Sequence, residues 1–195
     1  MKIYFCFSLA FTLFVSSYSS ASKPEISKTI ELSSQQSKIE FIAVGRPSML
    51  KINGTGAKLN DHVDFKGLNV SAECVVPLDS ITTGIDLRDT HMKTKYLESA
   101  KFPDATLTIS NLVLEKNFLI EKGIQKNIPF KGKLKIHGEE SDVEGLADVM
   151  SDEKSISIQA TTKTNITAHK IDLPSYLGVK VADQVEIKAD LKIIK

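Results

Sequence analysis

Apolar and polar residues alternate with a period of two along most of the chain, which sends successive side chains to opposite faces of an extended strand. Ile39, Phe41 and Ala43 alternate with Lys38 and Glu40, and Leu68, Val70, Ala72, Cys74 and Val76 alternate with Asn69, Ser71 and Glu73. The same holds for Phe130, Gly132, Leu134 and Ile136 against Lys131, Lys133, Lys135 and His137, and for Val143, Gly145, Ala147 and Val149. Ile156, Ile158 and Ala160 alternate with serines and Gln159, and Val185, Ile187, Ala189, Leu191 and Ile193 with Glu186, Lys188, Asp190 and Lys192. One dry and one wet face per segment predicts half-buried antiparallel strands. Weaker candidates lie at 26–32, 50–59, 106–112 and 163–169, and the short polar connectors 138–142 and 151–154 favour hairpins.

Two stretches break the period. Between Gly84 and Ser99, Ile85, Leu87, His91, Met92, Lys95 and Tyr96 do not alternate, and helix formers replace β-branched residues, so a short helix or an ordered long loop is expected there. Residues 171–178 are interrupted by Pro174 and Gly178. With no linker, repeat or low-complexity segment, residues 22–195 read as one all-β domain, either a two-sheet sandwich or a closed barrel. The inward positions are apolar but include many small residues (Ala72, Gly132, Gly145, Ala147, Ala160, Ala168, Ala189), and the chain has no Trp. A barrel built from them would leave a dry cavity suited to apolar ligands, whereas a flattened sandwich would close it.

The first residues do not belong to this pattern. Lys2 precedes an uncharged stretch over 3–15, followed by Ser16, Ser17, Tyr18, Ser19, Ser20 and Ala21, with Ser19 and Ala21 as the small residues a signal peptidase accepts. The apolar stretch is shorter than the roughly 20 residues a membrane anchor needs. Residues 1–21 are therefore expected to be a cleavable secretory signal, giving a soluble exported product without an integral membrane segment.

Charge and cysteine content narrow the function further. The chain of 195 residues carries 25 Lys+Arg against 24 Asp+Glu, and loss of Lys2 with the signal makes the remainder formally neutral. Arg46 and Arg88 are its only arginines, too few for bidentate readout of bases or phosphate backbones, so no nucleic-acid partner is expected. With Cys6 removed, Cys74 is alone, and the exported domain would stand on its core without an internal disulfide.

Catalytic and metal motifs are sparse. G-x-S-x-G, the P-loop, H-E-x-x-H, C-x-x-C and EF-hand patterns are missing, and Gly54-Thr55-Gly56 lacks the third glycine of a dinucleotide loop. Ser80, Asp89 and His91 could be imagined as a hydrolase trio, but without a nucleophile elbow such a trio is expected by chance. An internal salt bridge among Arg88, Asp89 and His91 is the simpler expectation. His137 and His169 fall on wet faces, so surface positions are expected for both, and neither a metal site nor a cofactor is assigned. Cys74 sits in an apolar series as a small hydrophobe.

The segment Leu78-Asp79-Ser80-Ile81-Thr82-Thr83-Gly84-Ile85-Asp86-Leu87-Arg88-Asp89-Thr90-His91-Met92, continuing through Tyr96-Leu97 to Lys101-Phe102-Pro103-Asp104-Ala105-Thr106, resembles the signature of the YceI family of bacterial periplasmic proteins. Gly132-Lys133-Leu134-Lys135-Ile136-His137-Gly138 resembles that family's G-x-L-x-x-H-G strand end, and 174–183 also matches. One departure is Val44-Gly45-Arg46-Pro47, near where many members carry a His, so no role of that His transfers.

The resemblance implies a lipocalin-like, antiparallel eight-stranded β-barrel with a helical insertion. It also implies an apolar interior that holds a polyisoprenoid or similar long-chain acyl amphiphile, with no catalytic residues. Inward-alternating positions are then the candidate cavity lining: Phe41, Leu68, Val70, Ala72, Phe130, Leu134, Ile136, Ala147, Ile158, Ala189 and Leu191. A lipid-acting hydrolase using Ser80, Asp89 and His91, or a ligand-free interaction protein, are the competing functions, and association into a homodimer stays open.

Overall fold

A computed structural model describes residues 27–32, 37–46, 50–56, 60–176 and 179–195. The expected signal segment 1–21 lies outside the described residues. Eleven strands are found among them: β1 (Ser27–Leu32), β2 (Ser37–Arg46), β3 (Lys51–Gly56), β4 (Asn60–Lys66), β5 (Asn69–Pro77), β6 (Asp104–Val113), β7 (Gly123–Ile136), β8 (Glu139–Ser151), β9 (Ser155–Asn165), β10 (Ser175–Tyr176) and β11 (Val179–Ile194). One short helix, α1 (Asp86–His91), runs into a π-turn over Met92–Tyr96. This places the helical insertion where the alternation fails.

All the strands belong to one antiparallel sheet in the order β1-β4-β5-β6-β7-β8-β9-β11-β2-β3, with β10 attached to β11. Strands β4 to β9 follow one another as hairpins, and turn chemistry sets their register. At the β7–β8 turn both central residues have positive φ, 54° at His137 and 77° at Gly138, and Ile136 pairs with Glu139. Mirror-image turns of this kind match the right-handed twist of the flanking strands. Asn111 and Asn127 take left-handed backbone at irregularities in the β5–β6 and β7–β8 ladders, where an extra residue bends the sheet.

That bending curls the sheet into the barrel-like fold, although the ladder itself does not run all the way round. At this seam β3, at one edge, is instead joined to the segment that follows β5 by an antiparallel bridge, in which Thr55 and Thr82 exchange hydrogen bonds of 2.9 Å each. Gly56 makes the approach close, because a Cβ there would come within 2.8 Å of Val76 Cγ1. Ser37 of β2 and Asp61 of β4 are hydrogen-bonded across the same gap.

β4 is missing from the alternation pattern for a physical reason. Its inward series is Asp61, Val63, Phe65, and the buried Asp61 interrupts it with a charged residue type. The expected strand at 163–169 is the tail of β9 followed by a 3-10 turn over Ile166–His169.

The interior divides by height. At one end Phe65, Phe118, Phe130, Leu112, Leu114 and Ile156 form a dry core. Phe118, from the loop between β6 and β7, plugs that end, held by the Ser151 hydroxyl donating to its carbonyl at 2.9 Å. The opposite end, beneath α1, is not filled.

Candidate functional site

A cavity of about 520 Å³ occupies the end of the barrel under α1. Its walls are the inward positions of the strand ends there: Ile39, Phe41 and Ala43 of β2, Ile52 of β3, Val76 of β5, Ala105 and Leu107 of β6, Leu134 and Ile136 of β7, and Val185 and Ile187 of β11. Leu87, His91, Met92, Tyr96 and Leu97 from the helical insertion form another wall, and Ile166, Ile171 and Pro174 from the chain between β9 and β11, with Val181 of β11, add to it. Among the described residues, the polar side chains that line it are Thr83, Arg88, His91, Tyr96, Thr164, His169 and Ser175, with no Lys, Asp or Glu.

The insertion that covers the cavity is anchored by a buried carboxylate. Asp89 accepts hydrogen bonds from the Thr82 hydroxyl at 2.6 Å, from the Thr83 backbone N–H at 2.8 Å and from the Thr83 hydroxyl. Burial alone would raise its pKa, but these bonds, with Lys93 nearby, hold the carboxyl below the usual carboxylate range. The expected salt bridge to Arg88 is not found among the described residues. The Arg88 guanidinium instead donates to Thr83, from Nε to Oγ1 at 2.6 Å and from Nη2 to the carbonyl at 2.9 Å.

Nor do Ser80, Asp89 and His91 assemble as a catalytic relay. The Ser80 hydroxyl donates to the Pro77 carbonyl at 2.7 Å, and the recorded partners of the Asp89 carboxylate are Thr82 and Thr83 rather than His91. Among the described residues, no three of His, Cys, Asp or Glu lie together as metal ligands would.

The two histidines expected on wet faces are drawn inward. His169 is 1% exposed and lines the cavity. Its Nδ1–H faces the Glu139 carbonyl at 3.2 Å, which leaves Nε2 to accept from the Ser141 and Thr164 hydroxyls at 3.2 and 3.0 Å. The 3-10 turn rotates His169 off the period-two pattern, and so alternation assigns it the wrong face. His137 donates from Nδ1 to the His169 carbonyl at 3.2 Å, pairs through Nε2 with Glu98 at 2.9 Å and packs on the Phe102 ring. The strand-end histidine thereby ties the end of the insertion to the β7–β8 turn.

Of the eleven candidate lining residues, Phe41, Leu134 and Ile136 line this cavity. Val70, Ala72, Phe130, Ala147, Ile158, Ala189 and Leu191 point inward but belong to the dry core below it. Ile158 and Leu191 also border a second depression, about 490 Å³, that carries Lys38, Lys126, Asp148, Asp190 and Lys192 on its walls. Leu68 is corrected outright. It is the second residue of the turn between β4 and β5, opened by Gly67 at φ 60°, and is 41% exposed.

The small residues are also not where the space is. A Cβ on Gly145 would meet the Phe130 ring at 2.5 Å, and Ala147, Ala160 and Ala189 pair side by side across β8, β9 and β11 in full burial. Large neighbours consume the room that small residues leave. Ala168 is exposed at the 3-10 turn. Ala43 and Ala105 are the alanines on the cavity wall. Ala43 is in the alternating series of β2, and Ala105 closes the Phe102-Pro103-Asp104 segment, but only the height at which each sits along its strand shows that it lines the space.

An antiparallel barrel with one end packed and the other a capped apolar cavity defines a lipocalin-like binding fold. The chain belongs to the YceI-like domain family, whose model matches residues 31–193. By sequence alone, no curated protein matches the chain. Among solved structures, BcnA of Burkholderia cenocepacia is similar with a TM-score of 0.64 at 19% identity, over 80% of this chain and 95% of that one. A polyisoprenoid-binding domain from Saccharophagus degradans, described as implicated in plant cell wall breakdown, has a TM-score of 0.61 at 14% identity, over 86% and 98%. The YceI protein of Campylobacter jejuni has a TM-score of 0.59 at 16% identity, over 75% and 86%. At these identities the likeness is one of fold.

Proposed function

We propose that this protein is a carrier or store for a long-chain isoprenoid or similar acyl amphiphile, acting in the periplasm after export through residues 1–21, with no catalytic step. The observation that carries the proposal is the cavity of about 520 Å³, whose walls are mostly aliphatic and aromatic and, among the described residues, hold no lysine or carboxylate. Such a space favours apolar chains: each methylene withdrawn from water contributes about 0.8 kcal/mol before ordering costs are subtracted. The polyisoprenoid-binding description of the Saccharophagus degradans domain supports the same ligand class. Among the described residues no helix is long and apolar enough to cross a membrane.

The test is uptake by purified protein stripped of lipid. Mixed with a polyprenol in mild detergent, it should appear in native mass spectrometry with one bound polyprenol. Absence of any adduct, at concentrations where a lipid-binding control protein is loaded, contradicts the proposal.

A further inference from the structure

Among the described residues that line the cavity, Arg88 is the permanently charged side chain, and it is one of only two arginines in the chain. Its position is set rather than fluctuating, because Thr83 receives Nε through its hydroxyl and Nη2 through its carbonyl, while Asp89 holds Thr83 in turn. No carboxylate pairs with Arg88 among the described residues, although Asp89 is adjacent in sequence and fully engaged elsewhere. The guanidinium is half-buried on an apolar wall and held from one side by Nε and Nη2, without a direct ion pair. A fixed cation on an otherwise uncharged wall favours a ligand that brings an anionic end to it.

We propose that Arg88 is the head-group site of the cavity, and that the ligand is an apolar chain ending in an oxyanion such as a phosphate or carboxylate, not a neutral alcohol or hydrocarbon. His91 and Tyr96, on the same wall, are the neighbouring hydrogen-bonding groups for the head. The planar fork of arginine suits two oxygens of one oxyanion, and charge-assisted bonds of this kind are stronger than neutral ones. This rests on the carrier function and adds to it the orientation of the ligand: tail among Leu107, Leu134 and Ile187, head at α1.

The experiment compares farnesyl phosphate with farnesol as competitors for a fluorescent fatty-chain probe, on the wild-type protein and on Arg88→Gln and Arg88→Lys. The phosphate should bind the wild-type protein at least tenfold more tightly than the alcohol, Arg88→Gln should lose that preference, read as the ratio of the two affinities in the same variant, and Arg88→Lys should retain part of it. Raising the salt concentration should weaken farnesyl phosphate but not farnesol on the wild-type protein, a readout that requires no variant to fold. Inorganic phosphate at the same concentration should not compete, and equal competition by it would make this a free-anion site and overturn the proposal. Equal binding of phosphate and alcohol by the wild-type protein, or an undiminished preference in Arg88→Gln, also overturns it while leaving the carrier function intact. Failure of both farnesyl compounds to bind overturns the two together.

Discussion

The Phe41 ring lies on Gly54, its register partner on the neighbouring strand, so closely that a Cβ at position 54 would come within 2.1 Å of ring atom Cε1. The glycine is therefore what lets Phe41 lie flat against the β2–β3 wall of the cavity. Gly54→Ala should tilt the ring into the space, costing about 1–3 kcal/mol of stability by overpacking. Polyprenol uptake should fall with it. Chemical denaturation and native mass spectrometry on the same sample check both outcomes, and unchanged uptake would mean that the ring finds room elsewhere.

Filling the cavity and overfilling the core should behave differently. Ala43 and Ala105 face the cavity, so Ala43→Phe or Ala105→Phe should lower lipid occupancy severalfold while changing stability by no more than about 1.5 kcal/mol. Ala189 is fully enclosed beside Ala160 and Ile39, so Ala189→Phe should destabilise by about 1–3 kcal/mol or more. If Ala189→Phe proves the one that expels lipid from a stable protein, the division of the interior by height is wrong.

Asp61 is buried at the seam, with the Val75 N–H and Ser37 as partners of its carboxyl group. Burial raises its pKa above the ordinary carboxylate value, the hydrogen bonds and His62 only partly opposing it. A carboxyl that holds its proton more tightly when folded contributes stability in full below its unfolded pKa of about 4, and that contribution is lost as pH rises through the folded value. Asp61→Asn removes the titration. The variant should gain stability relative to the wild-type protein between pH 4 and pH 7, measured by urea unfolding at each pH. A constant difference would show that the charged form is not disfavoured.

Cys74 is fully buried opposite Asp61, and burial, with Asp61 and Glu73 nearby, pushes its thiol pKa far up. The native protein should react with a thiol reagent orders of magnitude more slowly than the unfolded chain. Rapid native labelling would place this face of β5 outside.

Much of the sheet is legible in the residue pattern because β5, β7, β8, β9 and β11 each present long runs with one apolar face, and hairpin turns leave register little freedom. The break at Gly84 to Ser99 is legible for the same reason, as loss of period. What alternation cannot supply is height. It places Ala189 and Ile187 on the same inward face, yet one is enclosed in packed core and the other borders the cavity, and the difference comes from where Phe118 plugs one end and α1 stands off from the other. Short turns escape it as well: Leu68 and His169 sit where a tight turn and a 3-10 turn end the period, and each lands on the face opposite to expectation. The sequence points to a salt bridge of Asp89 with Arg88 and His91 and not to its threonine partners, since Thr82 and Thr83 reach it from the loop before α1 rather than along a strand.

The most direct test of the carrier function is to purify the mature protein gently from the cells that make it, extract it with organic solvent and identify what is released by mass spectrometry. Intact mass should first show a chain beginning at Ser22, and the extract should contain a long-chain isoprenoid or acyl lipid in near-stoichiometric amount, reduced in Ala43→Phe. An extract free of lipid, from protein that also takes up no isoprenoid or acyl chain afterwards, would contradict the account.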